Sequence, residues 1–216
     1  MARTRIKLCG MTDASQVQQA VDLGVDAIGM IVRANSPRVV SLEQALAIRA
    51  VVPAFVSLVG VFVDASAAEI NAAVTQMGLD AVQLHGDEPP EILTDVAAPS
   101  IKAIRARDSD TVRQGLARFS QSRAILLDPY HQSQHGGTGL RLNESLWPSS
   151  SDNPHNAKLI LAGGLSPDNI YDSLTLFRPY AVDFNSGLER SPGNKDIVRV
   201  CAAIKEVQRF DRNSAN

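Results

Sequence analysis

Cys9 and Asp128 are the two side chains whose types and positions best suit acid–base chemistry. Each follows directly after a short apolar run, Cys9 in "IKLCG" and Asp128 in "AILLDP". A thiolate can take a proton from carbon when nearby positive charge lowers its pKa, and a carboxyl group can donate one when partial burial raises its pKa. Lys7 shares the side-chain direction of Cys9 and would supply such a charge. The alternatives are a small buried core cysteine, the commoner case, and a turn or capping aspartate.

Two glycine-containing segments suit phosphate binding. Gly163-Gly164 precedes Ser166-Pro167, which predicts a capped helix start, and Ser186-Gly187 follows another apolar run. Glycine lets backbone N–H groups approach an anion closely, and a helix N-terminus adds positive partial charge. The alternative is two ordinary glycine turns.

Three further residues have the chemistry for a site. Arg38 follows Ser36-Pro37, and a guanidinium group binds a carboxylate through two hydrogen bonds, although a solvated loop arginine is the more common case. His85 is either an acid–base group or, as we slightly favour, a hydrogen-bonded residue at a strand end. Cys201 lies among aliphatic residues of the last predicted helix, and we interpret it as structural.

Eight short apolar runs, separated by amphipathic segments, are the elements that would position these residues. Continuous runs of this kind predict strands of a parallel sheet covered by helices. Capping boxes at 41–44 and 66–69, and Gly24 and Gly78 after helical stretches, mark helices between them. The predicted strands are Ile6–Leu8, Ala27–Val32, Val56–Val63, Ala81–Leu84, Ser100–Ile104, Ala124–Leu127, Leu159–Leu161 and Ala181–Phe184.

Eight strand–helix units in 216 residues predict the α/β class and a (β/α)8 TIM barrel. We expect a single domain over residues 1–208, a polar surface loop at 145–156 and a frayed tail at 209–216. An open doubly wound sheet is the alternative. In a barrel the candidate residues, which follow the strands, would meet at the carboxyl ends, and phosphate is commonly bound after the seventh and eighth strands.

Composition argues against several classes of function. Lys plus Arg is 21 and Asp plus Glu is 23, so the net charge of −2 gives no basic surface for nucleic acid and no polybasic membrane patch. The longest apolar run, at 51–63, is interrupted by Pro53 and is too short to span a bilayer. The chain starts without an apolar leader, and its two distant cysteines form no metal-binding pattern. We therefore expect a cytoplasmic protein that binds neither nucleic acid nor membrane.

Several segments together resemble the phosphoribosylanthranilate isomerase family of tryptophan biosynthesis. From about residue 5 to 207 they keep that family's order and approximate spacing, and they are specific as a set although each is weak alone. The segments are "KLCGMT", "NSPRVVS", "VGVFV", "VQLHGDE", "IKAIR", "LLDP", "GGTG", "LILAGGLSPDNI" and "YAVDFNSGLERSPGNKD".

The resemblance implies a cofactor-free barrel that performs an Amadori rearrangement. The substrate, N-(5-phosphoribosyl)anthranilate, would become 1-(2-carboxyphenylamino)-1-deoxyribulose 5-phosphate, with Cys9 as general base and Asp128 as general acid. The protein would act as a monomer or a homodimer. The substrate-binding residues would be Arg38, for the anthranilate carboxylate, and Gly163, Gly164, Asp183, Ser186 and Gly187, for the phosphate.

The chain departs from the family pattern at three places. "GMIV" at 29–32 stands where Gly-Phe-x-Phe is frequent, Leu142-Asn143-Glu144 where Phe-Asp-Trp is common, and Asn185 where serine is usual. Lost aromatic surface predicts weaker closure of the "GGTG" loop at 136–139, which the resemblance implies is mobile, or a weaker grip on the anthranilate ring. One alternative is a related phosphosugar isomerase or an aminoaldose isomerase, and Cys9 argues against the aminoaldose isomerase. The other is a degenerate barrel that binds a phosphate ligand without turnover.

Overall fold

Eight parallel strands form a closed barrel, as the sequence predicts. The computed structural model describes residues 3–130 and 141–214. Each strand pairs with its neighbours in chain order and the last returns to the first, so the barrel sheet has no free edge. The strands are β1 (Arg5–Leu8), β2 (Ala27–Arg33), β3 (Ser57–Phe62), β4 (Ala81–Leu84), β5 (Ser100–Ala106), β6 (Ala124–Pro129), β7 (Leu159–Leu161) and β8 (Ala181–Phe184).

Seven α-helices occur in the described residues, and a two-stranded hairpin follows β8. The helices are α1 (Ala14–Asp22), α2 (Leu42–Val51), α3 (Ala67–Met77), α4 (Ile92–Asp95), α5 (Ser109–Arg118), α6 (Ile170–Phe177) and α7 (Ile197–Ser214). The hairpin consists of β9 (Glu189–Ser191) and β10 (Asn194–Lys195), which are antiparallel.

The connection from β6 to β7 departs from the expected repeat. Its described residues, 141–158, contain a 3₁₀ turn at Glu144–Leu146 and no α-helix, so the prediction of a helix in every unit is wrong for this part of the sixth. The segment 145–156 is mostly exposed, as expected. Trp147 is partly buried, because its ring lies 5.2 Å from the ring of Phe177 on α6 and extends the apolar packing there.

Local sequence signals fix the ends of the neighbouring helices. The side chains of Ser41 and Ser66 each accept a hydrogen bond from the backbone of the residue three positions later, and the side chain of that residue reaches back to the serine backbone. Gly24 and Gly78 have positive φ angles of 89° and 63°, the left-handed conformation that ends α1 and α3. These predictions are confirmed.

The helix expected directly after Gly163-Gly164 begins later. Residues 167–169 form a turn, and α6 starts at Ile170. The Ser166 hydroxyl accepts a hydrogen bond from the backbone N–H of Asp168 at 3.3 Å, while the Ser166 carbonyl accepts from the N–H of Ile170 at 3.0 Å. Ser166 therefore caps a turn that separates the glycine loop from the helix.

The barrel interior is apolar at its amino end and polar at its carboxyl end. Alternate residues of each strand point inwards. Small and aliphatic side chains of β5 to β8, with Ala162 just after β7, pack together in one cluster inside the barrel. The polar layer above them is almost fully buried and contains Lys7, Gln83, Asp128 and Asp183.

Helix α7 extends through the segment predicted to fray. Residues 209–214 continue the helix to Ser214, so the frayed tail expected from residue 209 is wrong for these six positions. Phe210 is buried and packs edge-on against Tyr171 with 5.9 Å between ring centroids. Asp211 accepts hydrogen bonds from the backbone N–H and the hydroxyl of Thr4, at 3.0 and 2.8 Å. The end of the chain is thereby tied to the residue that precedes β1.

Candidate active site

A cavity of about 730 Å³ opens at the carboxyl ends of the barrel strands. This is where (β/α)8 barrels place their active sites, and the volume suits a small organic ligand. Gln83 of β4 and His85 directly after it line the cavity. All eight residues singled out from the sequence as catalytic or substrate-binding also line it: Cys9, Arg38, Asp128, Gly163, Gly164, Asp183, Ser186 and Gly187.

Cys9 is held in place immediately after β1. Its backbone N–H donates to the carbonyl of Phe184 at 2.8 Å, which continues the pairing of β1 with β8, and its side chain is buried. Gly29 on β2 leaves room for the thiol. A Cβ atom at this position would lie 2.8 Å from Cys9 Sγ and 3.0 Å from Lys7 Nζ. The thiol and the ammonium group therefore share one space beside the glycine.

Burial raises the pKa of the Cys9 thiol above its ordinary value, and the positive charge of Lys7 offsets this only in part. Lys7 is itself paired, because its Nζ lies 2.9 and 3.0 Å from the two carboxylate oxygens of Asp183. The two side chains meet because β1 and β8 pair in register at these residues. Lys7 thus acts in the direction expected from the sequence, but its effect is smaller than that of burial.

Asp128 lies on β6 beside His85. Its Oδ2 is 3.4 Å from Nε2 of the imidazole ring, and this nitrogen has no hydrogen-bond partner in the described part of the chain. The other ring nitrogen, Nδ1, is 2.9 Å from the side-chain amide nitrogen of Gln83. If that amide donates to Nδ1, a neutral ring carries its hydrogen on Nε2, facing the carboxylate. His85 is therefore a neighbour of the candidate acid, which the sequence alone did not decide.

A buried ion pair fixes the loop that carries His85. Lys102 Nζ lies 2.5 Å from Glu88 Oε2 and donates to the carbonyl of Gly86 at 2.6 Å. The Glu88 carboxylate also accepts from the backbone N–H groups of Gly86, at 3.0 Å, and Asp64, at 3.1 Å. With these bonds the loop after β4 has little freedom to move the imidazole.

The glycine loops after β7 and β8 are in direct backbone contact. Gly163 and Gly164 have φ angles of +90° and +57°, which favour glycine. A Cβ atom at Gly187 would overlap the carbonyl oxygen of Leu165. The N–H groups of the three glycines make no hydrogen bond to another described residue, and the loops line the cavity. They are available donors for an anion such as phosphate.

Arg38 is not a solvated loop arginine. Its Nε and Nη2 donate to the two carboxylate oxygens of Glu189 at 2.9 and 2.7 Å. Lys195 Nζ lies 2.8 Å from the same carboxylate and donates to the side chain of Asn185 at 2.9 Å. Sequence reasoning missed Glu189 and Lys195, since charged residues in the polar segment "GLERSPGNKD" look solvated and the partner arginine is far away in the chain.

The segment after β6 contains the loop that the resemblance places over the site. The "GGTG" segment at 136–139 lies outside the described residues. At the position where the family commonly has aromatic residues, Leu142 is buried in the core. The side chain of Asn143 accepts a hydrogen bond from the backbone N–H of Ser145 at 3.0 Å and caps the 3₁₀ turn. A core contact and a cap therefore stand where the family commonly has aromatic surface.

Comparisons with known proteins show the family to which the chain belongs. A family model described as N-(5'phosphoribosyl)anthranilate (PRA) isomerase matches residues 6–206. The chain is 40% identical over 208 residues to an N-(5'-phosphoribosyl)anthranilate isomerase of Pseudomonas fluorescens, covering 96% of this chain and 97% of that protein.

Two solved structures have the same fold. One comes from monomers of the dimeric phosphoribosylanthranilate isomerase of Thermotoga maritima, with a TM-score of 0.83, 30% identity, and coverage of 95% of this chain and 98% of that one. The other is a phosphoribosyl anthranilate isomerase in complex with reduced 1-(o-carboxyphenylamino)-1-deoxyribulose 5-phosphate, with a TM-score of 0.83, 32% identity and the same coverage. The chain described here belongs to the N-(5'-phosphoribosyl)anthranilate isomerase family.

Proposed function

We propose that Cys9 and Asp128 are the general base and general acid of the isomerisation for which the family is named. The observation that carries this assignment is their placement in one cavity, at the ends of β1 and β6, which lie far apart around the barrel. A base and an acid on separate walls can reach the two ends of the bond rearrangement in a substrate held between them.

The chemistry divides between the two groups as follows. Asp128 donates its proton to the ribose ring oxygen as the bond between that oxygen and C1′ breaks, which leaves an iminium ion. Cys9, as thiolate, removes the proton from C2′, and the electron pair of that C–H bond forms the enolamine. The enolamine then tautomerises to the ketone, so no electrons enter or leave and no cofactor is required. Each group is expected to contribute about 10²–10⁴-fold to the rate.

Binding of the substrate uses charges that the site already holds. Arg38 takes the anthranilate carboxylate, and the N–H groups of the glycine loops take the phosphate. Asp183 lies beside these loops, where a free carboxylate would repel a phosphate group. Its pairing with Lys7 at 2.9 Å neutralises that charge and makes its place next to the phosphate compatible with binding.

Replacing the acid and the base tests these roles. We expect Cys9→Ser and Asp128→Asn each to lower kcat at least ~100-fold, measured as formation of the deoxyribulose product above the uncatalysed hydrolysis of the substrate. Cys201→Ser is the matched control, because Cys201 lies on α7 outside the cavity. A Cys9→Ser variant that turns over at the wild-type rate would refute the base assignment. Binding of a product analogue without wild-type turnover would favour the degenerate barrel.

We also propose that the enzyme works in the cytoplasm as a monomer or a homodimer. Its two cysteines are unpaired, which suits a reducing compartment. Within residues 3–130 and 141–214, no helix has the length and apolar character needed to cross a bilayer. Light scattering of the purified chain separates the two oligomeric states, and a larger assembly would contradict the proposal.

A further inference from the structure

The Glu189 carboxylate is fully engaged. Its Oε1 accepts from Arg38 Nε at 2.9 Å, from Lys195 Nζ at 2.8 Å and from the backbone N–H of Gly193 at 3.1 Å. Its Oε2 accepts from Arg38 Nη2 at 2.7 Å. Only 4% of the Glu189 side chain and 1% of the Lys195 side chain are exposed, so these bonds hold the carboxylate in a setting shielded from water. Burial raises the pKa of Glu189, but its bonds to Arg38 and the charge of Lys195 outweigh this and leave it below the ordinary value.

The hairpin that carries Glu189 is anchored to the segment that follows Cys9. Thr12 donates to the carbonyl of Gly193 at 2.7 Å, and the backbone N–H of Lys195 donates to the side chain of Gln16 at 2.9 Å. Hairpin β9–β10 therefore cannot shift without disturbing the loop after β1 and the first turn of α1. These bonds therefore tie the orientation of Glu189 to the backbone that directly follows Cys9.

Arg38 is clamped from a second side. A Cβ atom at Gly10 would lie 2.8 Å from Arg38 Cδ and 2.6 Å from Asn185 Oδ1, so the arginine stem runs closely over the residue next to Cys9. Glu189 occupies Nε and Nη2, whereas Nη1 makes no hydrogen bond to any described residue. The guanidinium group thus has one fixed edge and one edge left for a ligand.

The charges of this cluster do not cancel. Arg38 and Lys195 are positive and Glu189 is negative, and the three share a setting that is largely shielded from water. One positive charge remains at the cavity wall, which matches a single carboxylate on a ligand.

We propose that Glu189, held by Lys195 and by hairpin β9–β10, is a positioning residue that orients Arg38 toward the carboxylate of the aromatic ring. It thereby sets the selectivity of the site for a carboxylated arylamine over the same arylamine without the carboxylate. This inference rests on the proposed role of Arg38 in substrate binding.

The test compares two substrates that differ only in the carboxylate. These are N-(5-phosphoribosyl)anthranilate and N-(5-phosphoribosyl)aniline, and the selectivity is the ratio of their kcat/KM values. Because both need the same acid and base, changes in the protonation of Cys9 cancel in this ratio. We expect Glu189→Gln to lower the ratio at least ~10-fold, mainly by raising KM for the anthranilate substrate with kcat little changed. The amide would place an N–H₂ group against an arginine donor and release the guanidinium group.

A double-mutant cycle separates positioning from a merely structural role. If Glu189 acts through Arg38, adding Glu189→Gln to Arg38→Met lowers the ratio no further than Arg38→Met alone. Glu206→Gln is the matched control, since it removes a glutamate paired with an arginine, Arg209, on the exposed face of α7.

Three results would overturn the inference. The first is an unchanged ratio in Glu189→Gln, the second is an unchanged ratio in Lys195→Met, and the third is an additive loss in the double variant. An equal loss on both substrates counts as an unchanged ratio. Should Glu189→Gln fail to fold, Lys195→Met removes the clamp but keeps the pair of Arg38 with Glu189, and it must still lower the ratio. A wild-type enzyme with no preference between the substrates would instead refute the role of Arg38.

Discussion

At the scale of single residues, the protonation of Cys9 depends on two opposite charges beside it. The Lys7 ammonium lowers the pKa of the thiol and the Asp183 carboxylate raises it, while burial is the largest influence and raises it. Lys195 also lowers it, and this residue stays in place in the variants below. Activity that requires the thiolate is therefore expected to rise with pH through the pKa of Cys9.

Substituting each partner should move that pKa in opposite directions. Lys7→Met removes the nearby positive charge, so the pKa of Cys9 rises further and the thiolate forms at higher pH. Asp183→Asn removes a negative charge and leaves Lys7 unpaired, so the pKa falls. Thiolate absorbance against pH in a Cys201→Ser background measures both, with Lys205→Met on the exposed side of α7 as the control. Shifts of the same sign in the two variants would contradict this electrostatic account.

The residues of the site were predictable to the extent that their chemistry follows strand ends. Cys9 and Asp128 each follow an apolar run, which places them at one end of a barrel without any knowledge of contacts. Glu189 has no such signal, because its partner Arg38 lies 151 positions away in the chain. Pairing at that distance is decided by the closure of the barrel and cannot be seen in one sequence.

At the scale of elements, the contact between the glycine loops determines the shape of the proposed phosphate site. A methyl group at Gly187 would collide with the backbone carbonyl of Leu165, and backbone cannot rotate away as a side chain can. We expect Gly187→Ala to separate the loops and raise KM at least ~10-fold, equivalent to about 1.4 kcal/mol of binding free energy.

The control for this substitution is Gly24→Ala. Gly24 has a φ of +89°, but a Cβ atom there meets nothing within 4 Å. Left-handed strain alone should cost stability, about 1–2 kcal/mol, and leave KM unchanged. Thermal unfolding together with steady-state kinetics distinguishes the two effects. An equal change of KM in both variants would mean that a general loss of stability, not loop contact, lowers binding.

Strands were easier to predict than the segments between them, for a physical reason. A strand buried on both sides is apolar at most positions, so the runs from 27 to 32 and from 124 to 127 mark β2 and β6 directly. A helix start after a glycine loop depends on how the loop packs, and Ser166-Pro167 signals a cap for either a turn or a helix. A turn forms here because Asn169 Nδ2 donates to the carbonyl of Gly164 at 2.8 Å. This bond keeps residues 167–169 outside the helix.

At the scale of the whole molecule, the end of α7 closes the chain against the start of β1. Phe210 is buried against α6, and Asp211 holds Thr4 just before the first strand. The polar composition of 209–216 gives no sign of this closing contact, because only Phe210 and Asp211 make it. The contacts lie at the amino end of the barrel, away from the cavity, so they should affect stability and not catalysis.

Truncation tests this separation. A chain ending at residue 208 loses Phe210 and the bonds of Asp211, whereas a chain ending at Ser214 keeps both and serves as the control. We expect the shorter chain to lose about 3–5 kcal/mol of unfolding free energy in urea, the usual cost of removing a buried phenylalanine. Its kcat at a temperature where it stays folded should equal that of the control, because no residue of the cavity changes. Equal stability of the two chains would show that the ordered barrel ends at residue 208 after all.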